Sequence, residues 1–302
     1  MTARDRYPTA AAFRTALEQR LRTEAHASGT PLNRLRKDAA ANRLLARFQH
    51  VAPDAWALKG GLALITRIGL NVRGTRDADA NWRASVDDLD EALTAIEALD
   101  LDDWFSFEIG DARPLQGEGE EGALRYPVTA RLAGRTFDQL HMDVNLVGLT
   151  DPRPVELVKA QRNPFAFIAE PPLEIPMITP SHQLAEKLHA YVRRYNENAS
   201  SRAKDLFDML VIADQVELPN GAELTIAVEQ TFRLRATDWP PDIPEPPADW
   251  AKPWDGFVTD YPLEWRDLSE AYDALRQFWE PILTGQAATS RTTWRPSRWR
   301  WE

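Results

Sequence analysis

The sequence contains no cysteine, and this absence excludes disulfide bonds, thiolate zinc sites and cysteine nucleophiles together. Histidine is scarce, with five residues in the chain, and no two of them have the HxxxH spacing of a metal-binding pair. A bound metal ion must therefore be held mainly by carboxylates. Carboxylate ligands favour magnesium or manganese.

Long apolar segments are also missing. No run of eighteen apolar residues occurs, so we expect no membrane-spanning helix. The N-terminal residues MTARDRYPTAAAF lack the apolar centre of a signal peptide, so we expect a cytoplasmic protein. With 302 residues, of which 43% are hydrophobic and 27% charged, the chain is typical of a globular protein with two domains. We place the domains at 1–170 and 171–302.

The formal net charge of −10 is concentrated in one stretch. Residues 87–121 hold thirteen Asp and Glu with one Arg, whereas residues 14–47 hold eight Lys and Arg with three acids. Residues 187–204 are basic as well. Because electrostatic steering depends on local patches, a nucleic acid stays among the possible partners. Solvated helix faces of different sign are the alternative interpretation.

A pair of glycines and a pair of aspartates form the sharpest motif. Gly60 and Gly61 follow a short strand predicted at 55–59 and precede a predicted helix. Asp77 follows the second glycine by sixteen residues, and Asp79 lies two residues further on. Residues i and i+2 of a strand point to one face, so both carboxylates can bind the same divalent ions and promote phosphoryl transfer. Glycines at a helix start let backbone N–H groups approach a phosphate.

A third carboxylate strengthens this interpretation. Asp143 lies in HMDVNLV, within a strand predicted at 136–147. A carboxylate in mid-strand is unfavourable unless it is paired or binds a cation. We therefore interpret Asp143 as a third metal ligand that can accept a proton. A half-exposed sheet with a solvated polar face is the alternative. We also expect Arg73 and Thr75, just before the aspartate pair, to contact phosphate.

The C-terminal part is predicted to be mainly helical. Lys187 lies on a helix predicted at 181–195, and Asp205 and Asp208 lie on the next one, at 202–215. A lysine in this place can hold a nucleotide phosphate as a point charge, although a solvated helix with ordinary i,i+4 pairs is the alternative. The proline-rich segment 239–262 predicts an extended strap across the surface.

The last residues, TSRTTWRPSRWRWE, alternate tryptophan with arginine. We interpret them as a docked or frayed terminus. Stacking on nucleobases is the alternative.

Five sequence blocks carry a family resemblance. They are, in order, LKGGLALITRIG, RGTRDADANW, HMDVNLV, AEKLHAYVRR and SRAKDLFDML. Together they resemble the AbiEii/AbiGii-type toxins, which include the MenT toxins of mycobacteria and have the nucleotidyltransferase (DNA polymerase beta-like) fold. The resemblance covers residues 12–215. It implies an α/β core with a minimal mixed sheet and flanking helices, followed by a mainly helical domain.

The resemblance also implies activity and site residues. It implies NTP as substrate, Mg²⁺ as cofactor, and transfer of a nucleotide to the tRNA acceptor end or another target. The matching positions are Gly60 and Gly61 for the nucleotide, Asp77 and Asp79 for the metal, Lys187 for the triphosphate, Asp205 as the aspartate of the last block, and Asp208 as a weaker candidate. Where the family usually has bulky apolar residues between and after the aspartates, this chain has Ala78, Ala80 and Asn81, which leaves the strand register open.

We therefore predict a Mg²⁺- or Mn²⁺-dependent nucleotidyltransferase toxin of a type IV-like toxin–antitoxin pair. The acceptor is predicted to be RNA, specifically the tRNA 3′ end, and the protein partner a cognate antitoxin. Two alternatives stay open: an enzyme of the same fold that acts on a small molecule or a protein, and a non-catalytic nucleotide-binding module. The residues expected to contact RNA are Arg34, Arg36, Lys37, Arg43 and Arg47.

Overall fold

The computed structural model describes residues 2–75, 77–115, 122–193, 202–261 and 263–302. The chain divides into two units. The first comprises Met1–Leu70 and Gly74–Met177, and the second comprises Asn71–Arg73 and Ile178–Glu302. None of the described helices combines the length and the apolar character needed to cross a membrane.

The first unit is a mixed sheet with helices. Its helices are α1 (Ala3–Arg6), α2 (Ala10–Ser28), α3 (Leu32–Val51), α4 (Gly60–Ile68) and α5 (Val86–Ala98). Its strands are β1 (Trp56–Lys59), β2 (Asp77–Trp82), β3 (Phe105–Ile109), β4 (Arg113–Pro114), β5 (Ala123–Leu132), β6 (Arg135–Leu146), β7 (Val155–Lys159) and β8 (Glu174–Ile178). The strand order is β3-β5-β6-β2-β1-β8-β7, and β4 pairs with β5. The pairs β2/β6 and β1/β8 are parallel, whereas β1/β2 and β5/β6 are antiparallel. The predicted mixed α/β fold is confirmed.

The β5–β6 hairpin forms where the sequence predicts it. Gly134 lies in its turn with φ +69°, a conformation that glycine adopts without steric cost. The register shifts by one residue between Ala130 and Arg131, because Arg131 lies opposite Thr136 whereas Ala130 lies opposite Asp138. Phe137 is thus an extra residue on β6, a β-bulge. From the bulge onward, this shift decides which β5 side chains share a face with which β6 side chains.

Alternating side chains build the core. On β2 the buried residues Ala78, Ala80 and Trp82 belong to one apolar cluster, which also contains Phe13 of α2 and Leu44 of α3. Ser85 caps α5 by accepting the N–H of Asp88, which satisfies a free helix-start donor. One face of the sheet is therefore committed to packing against helices. The opposite face carries the alternate, polar side chains.

The basic residues of α3 are used inside the first unit. The side chain of Arg47 is fully buried and donates to both carboxylate oxygens of Asp103, at 2.9 and 2.8 Å. Arg43 is buried too and pairs with Glu170 at 2.6 Å. This corrects the expectation of RNA contacts for these two arginines. The cause is burial, because both side chains form ion pairs with acidic residues inside the folded unit. The charge pattern of the sequence does not reveal these pairs.

Two further basic residues of α3 are also paired. Arg36 lies 2.6 Å from Glu18, and Lys37 lies 3.0 Å from Asp138. Their side chains keep 32% and 27% of their surface exposed. They are therefore only partly accessible to an RNA.

The second unit is mainly helical, as predicted. Its elements are α6 (Pro180–Val192), α7 (Ala203–Gln215), α8 (Gly221–Leu234), α9 (Ala251–Asp260), α10 (Leu268–Leu283), β9 (Trp294–Arg295) and β10 (Arg300–Trp301). Helix α8 was not predicted from the sequence. Asn220 caps it by accepting the N–H of Glu223. The loop between α6 and α7, at 196–201 of the prediction, lies outside the described residues.

The proline-rich segment contains a helix, so the prediction of a wholly extended strap was wrong. Helix α9 begins at Ala251, and Pro253 lies in its first turn. A proline is tolerated there because the first N–H groups of a helix have no intrahelical acceptor. Trp250 and Trp254 are buried at 4% and 0% exposure. Their burial holds this segment against the rest of the unit.

The C-terminal tryptophans are docked. Their indole N–H groups donate to backbone carbonyls: Trp294 to Ala213 at 2.7 Å, and Trp301 to Phe278 at 2.8 Å. A buried indole is favourable when its N–H finds such a partner. The prediction of a docked terminus is confirmed.

The buried arginine pair generates a stability prediction. Asp103→Asn leaves Arg47 without its full counter-charge in the core, so we expect unfolding free energy to fall by about 3 kcal/mol. Asp102→Asn is the matched control, because Asp102 is 55% exposed in its pair with Arg4 and should change stability by less than about 1 kcal/mol. Urea denaturation measures both. Equal losses in the two variants would contradict the assignment of Asp103.

Candidate functional site

A row of charged side chains crosses the first unit's sheet. Strand register pairs Lys59 with Asp79, Asp79 with Asp143, and Asp143 with Arg125. Residues directly opposite each other on paired strands share a face, and neighbouring strands lie about 4.8 Å apart. The row therefore runs cation, carboxylate, carboxylate, cation over four adjacent strands. We call these residues the charged row.

Asp77 extends the charged row by one more carboxylate. It precedes Asp79 by two residues on β2 and so shares its face. Across β6 it lies opposite His141, whose Nδ1 is 3.4 Å from Asp77 Oδ1. Arg125 Nη2 is 3.6 Å from the same oxygen. The structure thus places the three predicted carboxylates on one face of the sheet.

Gly60 lies against one of these carboxylates. It begins α4 with φ +66°, a left-handed conformation that L side chains rarely adopt. A Cβ on Gly60 would overlap Asp79 Oδ2 and stand 2.7 Å from Asp79 Cγ. The glycine therefore leaves the space in which the carboxylate lies at the start of α4. A helix N-terminus also favours a negative group electrostatically. Gly61 is the next residue of the helix and is buried.

Arg125 holds Asp143 through two parallel hydrogen bonds. Its Nε donates to Oδ1 at 2.7 Å and its Nη2 donates to Oδ2 at 2.5 Å. Such bidentate pairs are among the strong hydrogen bonds in proteins. The hydrogen bond to Asp143 raises the pKa of Arg125 above its usual value. Both oxygens of the predicted third metal ligand are engaged by this guanidinium.

Asn81 continues the same face beyond Asp79. Its side chain is fully buried, and neither its Oδ1 nor its Nδ2 has a hydrogen-bond partner within the described residues. An unsatisfied buried amide costs free energy unless a ligand, ion or water completes it. Because Asn81 is two residues from Asp79 on the same strand, its unpaired amide lies beside the carboxylates.

The donor chemistry of this face suits a divalent cation. Carboxylate oxygens from Asp77, Asp79 and Asp143, with an amide oxygen nearby, are the ligands that Mg²⁺ and Mn²⁺ prefer. Within the described ranges, however, no three acidic or histidine side chains lie close enough together to hold a metal ion as they stand. The residues fit such an ion by type, and Asp143 is turned to Arg125 instead.

The other predicted site residues form a cluster in the second unit. Lys187 Nζ lies 2.5 Å from Asp208 Oδ2 and 3.4 Å from Asp205 Oδ1. Arg73 donates to both oxygens of Asp208, at 2.7 and 2.6 Å. The Lys187 side chain is only 8% exposed, which overturns the alternative of a solvated helix residue. Asp208, interpreted from the sequence as the weaker candidate, is the nearer carboxylate.

Asp208 is a fully buried charge held by two cations. Burial by itself raises the pKa of its carboxyl, but the charges of Lys187 and Arg73 and their hydrogen bonds outweigh burial and lower the pKa below its usual value. A depressed carboxyl pKa adds stability that is present at neutral pH and is lost as the pH falls through the folded-state pKa. Asp208 is therefore ionised at neutral pH, and its ionised form stabilises the fold.

Arg73 and Thr75 contact protein groups. Arg73 turns its guanidinium to Asp208. The Thr75 hydroxyl donates to the Asp77 carbonyl at 3.2 Å and accepts the Asp77 N–H at 3.3 Å. Thr75 thereby fixes the backbone at the start of β2. Their expected phosphate contacts stay predictions.

Comparison with known proteins identifies the family. The model of the family described as nucleotidyl transferase AbiEii toxin, type IV TA system, matches residues 43–280. The chain belongs to this AbiEii family. The predicted family and nucleotidyltransferase class are thereby confirmed. No curated protein matches the chain.

Two solved structures are similar to this chain. MenT4, a nucleotidyltransferase toxin of Mycobacterium tuberculosis H37Rv, is 15% identical with a TM-score of 0.59, over 93% of this chain and 92% of that one. JHP933 of Helicobacter pylori is 16% identical with a TM-score of 0.43, over 82% and 90%. At this identity the MenT4 similarity shows a shared fold.

Sequence reasoning missed two members of the charged row in this AbiEii protein. Lys59 was seen only as the end of a strand. Arg125 lies in ALRYPVTARL, where no motif singles it out. Counting back from the hairpin turn without a bulge would pair Arg125 with Met142, whereas the observed register pairs it with Asp143. Arg125 can therefore be recognised as the partner of Asp143 only when the position of the bulge is known.

Gly60 gives this site its own prediction. Gly60→Ala adds a methyl group where Asp79 lies, so we expect a loss of unfolding free energy about 2 kcal/mol larger than that of Gly134→Ala. Gly134 is the matched control, because its φ is also positive but an added Cβ would meet nothing within 4 Å. Thermal or urea unfolding measures both variants. Similar losses would show that Asp79 does not constrain Gly60.

Proposed function

We propose that this AbiEii-family protein transfers a nucleoside monophosphate from an NTP to an RNA, specifically to the 3′ end of tRNA, with Mg²⁺ or Mn²⁺ as cofactor. The observation that carries the proposal is the shared face of Asp77, Asp79 and Asp143, with Gly60 at the start of α4. Membership of a toxin–antitoxin family also implies a cognate antitoxin as partner.

The three carboxylates are proposed to hold the metal. When bound, a divalent ion neutralises charge on the reacting phosphate and on the departing pyrophosphate. In the transfer, the acceptor hydroxyl oxygen forms a bond to the α-phosphorus, and the bond from that phosphorus to pyrophosphate breaks. The hydroxyl proton passes to a carboxylate, for which we propose Asp143.

The nucleotide is proposed to be held by backbone and cationic groups. Gly60 and Gly61 open α4, and N–H groups at a helix start bind phosphate well. Lys187 supplies a fixed positive charge, because Asp205 and Asp208 restrain its ammonium group. Restraint lowers the entropy cost of meeting a phosphate. In this proposal Asp205 and Asp208 act through the lysine, and Arg73 and Thr75 are further candidates for phosphate contact.

The activity is tested by incubating the purified protein with each labelled NTP and total tRNA in Mg²⁺. We expect label on tRNA with at least one NTP and a loss of at least about 1,000-fold in Asp79→Asn, since a metal carboxylate contributes several kcal/mol to the barrier. The unfolding temperature of this variant should be no lower than that of the wild type, because a neighbouring like charge is removed.

Asp54→Asn is the matched control, because Asp54 is an exposed acid outside the site. It should keep full activity. Labelling of a protein or a small molecule in place of tRNA would replace the RNA proposal with one of the other acceptors. Full activity in Asp79→Asn would overturn the assignment of the site.

The C-terminal strands β9 and β10, which pair as an antiparallel hairpin, offer a second set of arginines for the proposed RNA contacts. Arg295, Arg298 and Arg300 have side chains that are 59%, 62% and 57% exposed. All three have Glu302 as their acidic partner, so one carboxylate balances three guanidinium groups. Exposed arginine is well suited to phosphate recognition. These arginines are exposed to solvent and can reach an RNA phosphate, whereas Arg43 and Arg47 are buried.

Charge reversal tests this RNA surface. Arg298→Glu with Arg300→Glu should weaken tRNA binding and reduce its log–log salt slope by about 0.7 for each RNA phosphate that the protein no longer neutralises. NTP affinity should be unchanged. Filter binding over a range of salt concentrations measures the slope. The matched control is Arg4→Glu with Arg131→Glu, which reverses two exposed arginines of the first unit. Equal weakening in both double variants would contradict a specific surface.

A further inference from the structure

Arg125 occupies a special place among the cations of the first unit. Its guanidinium contacts two of the three proposed metal ligands, Asp143 at 2.7 and 2.5 Å and Asp77 at 3.6 Å. The Arg125 side chain is 35% exposed, and the carboxylate of Asp143 is 11% exposed. A permanent positive charge therefore already lies among the carboxylates that a divalent cation would need.

The two cations compete for the same oxygens. The bidentate pair engages both oxygens of Asp143 and sets the direction in which this carboxylate points. Repulsion between a guanidinium and a dication a few ångströms apart is large wherever solvent screening is incomplete.

We propose that Arg125 is the resident counter-ion of these carboxylates, and that a divalent cation binds to Asp143 only by displacing the guanidinium. This inference rests on the proposed metal site. Without the ion, Arg125 offsets the repulsion between Asp77, Asp79 and Asp143 and keeps the sheet intact. With the ion, the carboxylates gain a stronger partner and the half-exposed guanidinium rehydrates. Arg125 therefore lowers the affinity of the site for the metal, and a higher concentration of the ion is needed to fill it.

A role for Arg125 in orienting Asp143 toward the metal predicts the opposite change in metal affinity. If Arg125 instead oriented Asp143 for metal binding, its removal would weaken the affinity for the ion. If it is a competitor, removal strengthens that affinity. Metal affinity is therefore a more informative measurement than activity, which falls in both cases when the site is disturbed.

The experiment is a Mn²⁺ titration followed by electron paramagnetic resonance, with no nucleotide present. We expect Arg125→Gln to bind Mn²⁺ about tenfold more tightly than the wild type, because one unit charge a few ångströms from a dication is removed. Arg125→Lys keeps the charge and should stay within about threefold of the wild type. Without the metal, Arg125→Gln should unfold at a lower temperature.

Arg113→Gln is the matched control. Arg113 is exposed on β4 and lies directly opposite Arg125 in the sheet register, so the same charge is removed one strand farther from the carboxylates. It should leave the Mn²⁺ affinity close to that of the wild type. Equal or weaker Mn²⁺ binding in Arg125→Gln would overturn the inference, as would an equal gain in Arg113→Gln.

A second measurement uses the wild-type protein and so does not depend on a variant that folds. In ¹⁵N NMR, the Arg125 Nε–H signal, assigned by its loss in Arg125→Lys, should shift on addition of Mg²⁺ as its hydrogen bond to Asp143 breaks. An unchanged signal at saturating Mg²⁺ would overturn the inference while the metal site stands. If neither the wild type nor Arg125→Gln binds Mn²⁺, the proposed metal site fails as well.

Discussion

Two carboxylates side by side in the middle of a sheet are the constraint around which the first unit is organised. Asp79 and Asp143 lie opposite each other on adjacent parallel strands, and like charges at this distance disfavour the folded state. The neighbouring strands β1 and β5 each place one cation next to these carboxylates, Lys59 and Arg125. Because the other face of β2 is packed against helices, the charged row is confined to one side of the sheet.

The same ion pair, arginine with aspartate, does two different things in this unit. Arg47 and Asp103 are almost wholly buried, so opening their pair would leave two charges in a low-dielectric interior. Arg125 keeps a third of its side chain exposed, and water can solvate it when it leaves Asp143. The solvent exposure of the arginine thus distinguishes a structural ion pair from one that can exchange partners. The charge pattern of the sequence reveals neither pair.

Local patterns were enough to predict the parts of the site that depend on alternation. The i, i+2 spacing of Asp77 and Asp79 fixes their common face, and the small residues between and after them do not disturb it. What local patterns cannot predict is pairing across a bulge. One extra residue, Phe137, moves Arg125 from the register of Met142 to that of Asp143, and a slip by one residue exchanges the two faces of a strand.

The short segment Asn71–Arg73 has a topological consequence. It belongs to the second unit although the first unit continues on both sides of it, so the backbone passes between the units three times. Arg73 brings one of the two cations that hold the buried carboxylate of Asp208. A fragment that starts at Ile178 would lack this cation, and no single proteolytic cut can release the second unit complete. Recombination between related genes at the Met177–Ile178 boundary would therefore separate Asp208 from its own arginine.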